Sequence, residues 1–163
     1  MAIASCGAES EKPEAAGDFK KTVEDPSPDA EEVADKDPQA LEITAIHAPD
    51  TDAYCTLTQT GHSFVYDDPD SWKFVFLSEA TGTPPQARIR INGDILTFEE
   101  ADRTTNDEGI ATWHYRSVDR GILVELKLRE TSGGAGYSDY TGTMSIIEPA
   151  KTEKMGIEGS CGV

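Results

Sequence analysis

No stretch of this chain approaches the roughly 18 to 20 consecutive apolar residues that span a bilayer as a helix, and no segment sustains a helical period. A helical bundle and a helical membrane protein are both excluded. Basic residues are scarce, with 14 Lys and Arg against 31 Asp and Glu, for a formal net charge of −17. A chain this acidic, with no basic patch, repels phosphate backbones, so nucleic acid is not an expected partner. Anionic lipid is disfavoured on the same grounds, and any attachment to a membrane has to run through a covalent anchor.

Histidine is scarce too. His47, His62 and His114 are scattered, and His114 lies in Trp113-His114-Tyr115, on the strand face opposite the two aromatics. No G-x-S-x-G, H-E-x-x-H or Ser-His-Asp arrangement can be traced. Carboxylates gather in Asp67-Asp68-Pro69-Asp70 and over Asp102 to Glu108, but the second run has no glycine at the sixth position and no glutamate at the twelfth of a calcium loop. Both read as solvated turns. The expectation is a protein that is not an enzyme and has neither cofactor nor metal site.

What is present divides near residue 50. Residues 1–50 carry 13 acidic and 4 basic side chains, a net of −9, interrupted by Pro13, Pro26, Pro28, Pro38 and Pro49, with Phe19 as the lone aromatic. Such a segment buries too little apolar surface to offset its ordering entropy, so a disordered acidic, Pro-rich tether is expected. Self-repulsion extends it, as suits a spacer. Within it, Leu41 to Ile46 is a candidate short edge strand.

From Thr51 the chain alternates short β-rich runs with turn residues. Tyr54 to Leu57, His62 to Tyr66 and Trp72 to Leu77 are the first three expected strands. Asn92-Gly93 supplies the positive φ values of a type I′ hairpin, which places Ile91 opposite Asp94, Ile89 opposite Leu96 and Ala87 opposite Phe98. Arg88 and Arg90 then point outward. A second hairpin joins 111–116 to 121–129 near Asp119-Arg120, with Ile122, Val124, Leu126 and Leu128 on one face. After a Gly-rich loop over 132–136, a long strand runs from Tyr137 to Ile147 with Tyr140, Met144 and Ile146 on one side. A last short strand leads to Cys161. The fold class is all-β: an antiparallel barrel or sandwich of about eight strands over residues 51–163. Trp72, Trp113, Tyr115, Tyr137 and Tyr140 are expected mostly in its core, the alternative being the lining of an apolar cavity.

Cysteine is scarce and informative, with three copies: Cys6, Cys55 and Cys161. A Cys55–Cys161 disulfide would pin the domain's two ends, closing a loop worth roughly 4 to 5 kcal/mol in the entropic model, in an oxidising compartment. The alternative is two reduced thiols. Ile3-Ala4-Ser5-Cys6 resembles the lipobox of bacterial lipoproteins, in which an aliphatic and two small residues precede a cysteine that becomes N-terminal and carries lipid. The resemblance covers six residues. It implies lipidation of Cys6 and attachment to the bacterial cell envelope, facing the periplasm or the exterior. Met1 to Ser5 contain neither a basic start nor a hydrophobic run.

Tyr54-Cys55 with a cysteine near the end is also similar to the membrane-bound lysozyme-inhibitor type of small periplasmic barrel, although the serine-rich loop of that type has no counterpart here. The resemblance implies inhibition of a cationic cell-wall enzyme. The expectation carried forward is a non-enzymatic envelope lipoprotein whose β domain binds a cationic protein or a small apolar ligand. The alternatives are an inhibitor of an enzyme such as lysozyme and a structural envelope protein.

Overall fold

The computed structural model describes residues 40–162; Cys6 and most of the expected tether lie outside them. Among the described residues there is no α-helix, and every strand pairing is antiparallel. The strands are β1 (Ile43–Thr44), β2 (Ile46–His47), β3 (Cys55–Gln59), β4 (Lys73–Phe74), β5 (Phe76–Ser78), β6 (Gln86–Ile91), β7 (Asp94–Thr105), β8 (Ile110–Ser117), β9 (Leu123–Gly134), β10 (Tyr137–Glu148) and β11 (Met155–Gly162). Eight of them, in the order β6-β5-β3-β11-β10-β9-β8-β7, close into a barrel when β7 pairs with β6. Closure removes the sheet edges that would otherwise invite pairing with other chains.

The period-two pattern drives this architecture. Along β9, Val124, Leu126 and Leu128 point inward and are fully buried, while Glu125, Lys127 and Arg129 alternate with them on the outer face. The β6–β7 hairpin has the expected register, Ile91↔Asp94, Ile89↔Leu96 and Ala87↔Phe98. Asn92 and Gly93 supply the positive φ of its turn, at 50° and 90°. Asn92 also holds the incoming chain, accepting from Glu42 N at 2.8 Å and donating to the Ala40 carbonyl at 3.3 Å. The short edge strand expected over 41–46 forms as β1, on the Arg90–Ile91 end of β6, and β2, which pairs with β4. Pairing therefore begins ahead of Thr51.

Inside the barrel, Leu57, Phe76, Ile89, Phe98, Met144 and Ile157 meet with no more than a trace of exposure. Tyr115 packs edge-on against Phe76, centroids 5.0 Å apart, and Trp113 against Tyr140 at 5.7 Å. These side chains fill the lumen. Gly142 allows β10 to lie close to β9: a Cβ there would collide with the Lys127 carbonyl oxygen and sit 3.0 Å from the Leu128 Cα. Cys55 and Cys161 are direct cross-strand partners on β3 and β11, with Cα atoms 4.0 Å apart, and are joined by a disulfide. The bond closes a sequence separation of 106 residues.

Three local expectations need correction. His62 to Tyr66 is not a strand. Its polar groups bond to the neighbouring 3-10 turn over Pro69–Ser71 instead of to a ladder: Val65 N donates to Ser71 Oγ at 2.9 Å, and the Val65 carbonyl accepts from Trp72 Nε1 at 3.2 Å. The run Trp72 to Leu77 is two strands, because the chain passes at Val75 from the small β2–β4 sheet to the barrel. The Gly-rich loop is mostly strand, since β9 extends to Gly134 and β10 restarts at Tyr137; Gly133 and Gly134 leave room for the Glu130 and Tyr137 side chains.

Candidate functional site

With the lumen filled, the surfaces available to a ligand lie outside the barrel. The most developed of them begins with Leu77, which faces outward from β5 and is still almost fully buried. It is covered by Ile46 and Phe74 from the β2–β4 sheet, with Ala48, Ala53 and Trp72 packed around them, forming a second, smaller apolar cluster on the outer wall. Trp72, expected in the core, belongs to this layer, and Tyr137 is half exposed near the β9–β10 turn.

The segment 61–72 extends from that cluster and is held by side chains. His62 Nε2 bonds to the Ser71 carbonyl at 2.6 Å, His47 Nε2 to the Pro69 carbonyl at 3.0 Å, and Ser71 Oγ to the Val65 and Asp68 carbonyls at 3.0 and 2.7 Å. These bonds hold aromatic rings that face solvent. Phe64 lies 5.7 Å from Trp72 and 5.9 Å from Phe74, yet is 45% exposed; Tyr66 lies 5.9 Å from Trp72 and is 77% exposed. Rings this exposed beside a fixed backbone are apolar surface ready for a partner.

Between this ridge and the barrel wall runs an open groove of about 510 Å³. Strand register builds its floor. Thr58, Glu158 and Thr141 form one transverse row across β3, β11 and β10, and Thr56, Ser160 and Asp139 form the next. His62, Phe64 and Phe74 form the facing wall. Glu158 Oε1 accepts from Gly61 N at 3.2 Å, tying the floor to the start of the ridge, and Asp139 Oδ2 accepts from Ser132 Oγ. The groove thus combines hydroxyls, two carboxylates and aromatic rings, and among the described residues no lysine or arginine lines it.

A second polar cluster caps the lumen. A bulge in β7 between Glu100 and Asp102 brings Glu100 and Arg103 to the same side. Tyr115 Oη donates to Glu100 Oε2 at 3.0 Å, Arg103 Nη2 donates to the same oxygen at 2.6 Å, and the Arg103 guanidinium lies 3.9 Å over the Trp113 ring. Burial, reinforced by the Glu100 charge, raises the Tyr115 phenol well above its ordinary value near 10. Satisfied hydrogen bonds and a cation seated on an aromatic face make this a seal and not an entrance.

The remaining candidates fall elsewhere. His114 faces outward as expected, opposite Trp113 and Tyr115, with Nδ1 3.6 Å from Asp102 and Nε2 3.5 Å from Glu125. Of the carboxylate loops, Asp68 caps the 3-10 turn and Asn106 orders the β7–β8 turn by accepting from Glu108 N and Ile110 N. Among the described residues no group of three or more His, Cys, Asp or Glu side chains is arranged to hold a metal ion. The disulfide joins Cys55 and Cys161, and Cys6 lies outside the described residues.

The floor residues of the groove carry no distinguishing signal in the sequence. Thr56-x-Thr58, Asp139-x-Thr141 and Glu158-x-Ser160 are outward alternations that look like any solvated strand face. Only the long-range order β3-β11-β10 assembles them. Comparisons with protein-family models, curated proteins and solved structures return no match to this chain.

Proposed function

We propose that this chain is a non-enzymatic lipoprotein of the bacterial cell envelope, anchored through lipid on Cys6, whose barrel acts as a binding module. The observation that carries the proposal is the Cys55–Cys161 disulfide. Structural disulfides persist in oxidising compartments, and this one accounts for two of the three cysteines. An unpaired cysteine in an exported protein calls for a separate chemistry, and the lipobox resemblance at Ile3-Ala4-Ser5-Cys6 supplies one. The acidic, proline-broken segment that follows Cys6 suits a spacer between anchor and barrel.

The binding role draws on the contrast between a filled lumen and an aromatic-walled outer groove. The lumen is packed with buried side chains, whereas the groove is open and backed by a fixed scaffold, which favours the groove as the binding surface. Intact mass spectrometry of the full-length precursor, recovered from the membrane fraction of a bacterial host, tests the proposal. The expected species begins at Cys6, carries added diacylglycerol mass and gains two thiols on reduction. A soluble, unmodified chain with three free thiols would overturn it.

A further inference from the structure

The groove's chemistry points to one class of partner. Its floor presents two carboxylates, Glu158 and Asp139, each with one oxygen occupied by the protein, at Gly61 N and Ser132 Oγ respectively. The second oxygen of each has no hydrogen-bond partner among the described residues. The first floor row runs on to Arg129 on β9, but that guanidinium is drawn away, donating to the Glu108 carbonyl at 3.1 Å. Two carboxylates therefore face a groove that no basic side chain among the described residues lines, on a chain of net charge −17. A neutral ligand would donate hydrogen bonds to them and leave the negative potential uncompensated. An ammonium or guanidinium supplies the donors and the compensating charge together. The aromatic wall adds π faces that attract the same cation.

The surroundings favour a polypeptide over a small amine. Phe64 lines the groove, and Val65 and Tyr66 continue from it as an exposed ridge, more apolar surface than a lone amine covers. Aromatic anchors beside a polar pocket are the usual anatomy of a protein interface. We infer that the groove between the 61–72 ridge and the β3-β11-β10 wall is a docking site for a basic polypeptide segment. A Lys or Arg side chain sits over Glu158 and Asp139 while neighbouring apolar residues pack on Phe64 and Tyr66. This rests on the reading of the groove as the binding surface and adds the partner's chemistry.

Isothermal titration calorimetry of the full chain with amidated hexalysine, and in parallel with neutral chitohexaose, tests both parts. D139N/E158Q is expected to weaken hexalysine binding by about tenfold or more. T141K, which places an ammonium in the groove while leaving both carboxylates intact, is expected to abolish it. The charge-matched pair D107N/D119N, in the β7–β8 and β8–β9 turns, is expected to change it less than about twofold. Equal weakening in the two double variants would mean general attraction to an acidic protein and would overturn the proposal. Chitohexaose binding that T141K removes, with no hexalysine binding, would overturn the cationic class and leave the groove standing as a binding site. Binding of neither probe that responds to T141K would overturn the groove as well. Circular dichroism and melting of each variant confirm that it is folded.

Discussion

The inner and outer layers of this barrel are built by different means. The lumen is assembled from side chains that alternate along each strand and gather into one buried apolar cluster, with Glu100 and Arg103 against its Tyr115 and Trp113. The outer layer consists of two short strands and a strandless loop held by histidine, serine and tryptophan hydrogen bonds, and it leaves Phe64 and Tyr66 in solvent. Apolar burial confers stability and offers nothing to a partner. Polar staples contribute less each, but they fix exposed rings and carboxylates where a partner can reach them. The division assigns stability to the inside and, under the proposed reading, recognition to the outside.

The largest expected effect comes from the bond that ties β3 to β11, two of the three strands behind the groove. C55A/C161A should cost about 4 to 5 kcal/mol in urea unfolding, from loop closure alone. Phe76→Ala, in the lumen, should cost about 3 to 5 kcal/mol through lost transfer energy and a cavity, seen as a lower midpoint at unchanged m-value. Phe74→Ala, in the outer cluster, should cost less, about 2 kcal/mol, because that layer can relax toward solvent. A cost equal to that of Phe76→Ala would erase the distinction between the layers.

Smaller effects sharpen it. Tyr115 has a phenol raised above its ordinary value by burial and by Glu100. The folded chain therefore holds that proton more tightly than the unfolded chain. The stability it contributes is complete below pH 10 and is lost as pH rises through the folded value. Alkaline unfolding monitored by circular dichroism should fall more steeply above pH 10 in the wild type than in Tyr115→Phe. The smallest effect belongs to the surface. Arg116→Ala removes a 2.9 Å ion pair with Glu148 between half-exposed side chains, and thermal melting should register less than about 0.5 kcal/mol.

The same contrast decides what the sequence made legible. The Asn92-Gly93 hairpin and the buried face of β9 follow from turn chemistry and period two, both local signals. The all-β class follows from the same signals, and the disulfide from the scarcity of cysteine and the position of Cys55 and Cys161 at the two ends of the domain. His62 to Tyr66 misled because its aromatic and β-branched composition matches a strand, while the bonds that hold it come from Ser71 and Trp72, several residues on. Trp72 looked like core because a large aromatic usually is, and only the β2–β4 pairing places it outside. The groove was invisible. Thr58, Thr141 and Glu158 are brought side by side by pairings across as many as 100 residues, and no local pattern marks a polar strand face that a distant loop will overhang.

The central claim is that recognition belongs to the outer groove and not to the barrel interior. Two-dimensional amide NMR of the isotope-labelled full chain, titrated with hexalysine, tests it most directly. The account predicts shifts confined to the Thr58, Thr141 and Glu158 row and the 61–66 ridge, with Val124, Leu126 and Ile146 unmoved. Shifts centred on those lumen residues, with the groove silent, would contradict it.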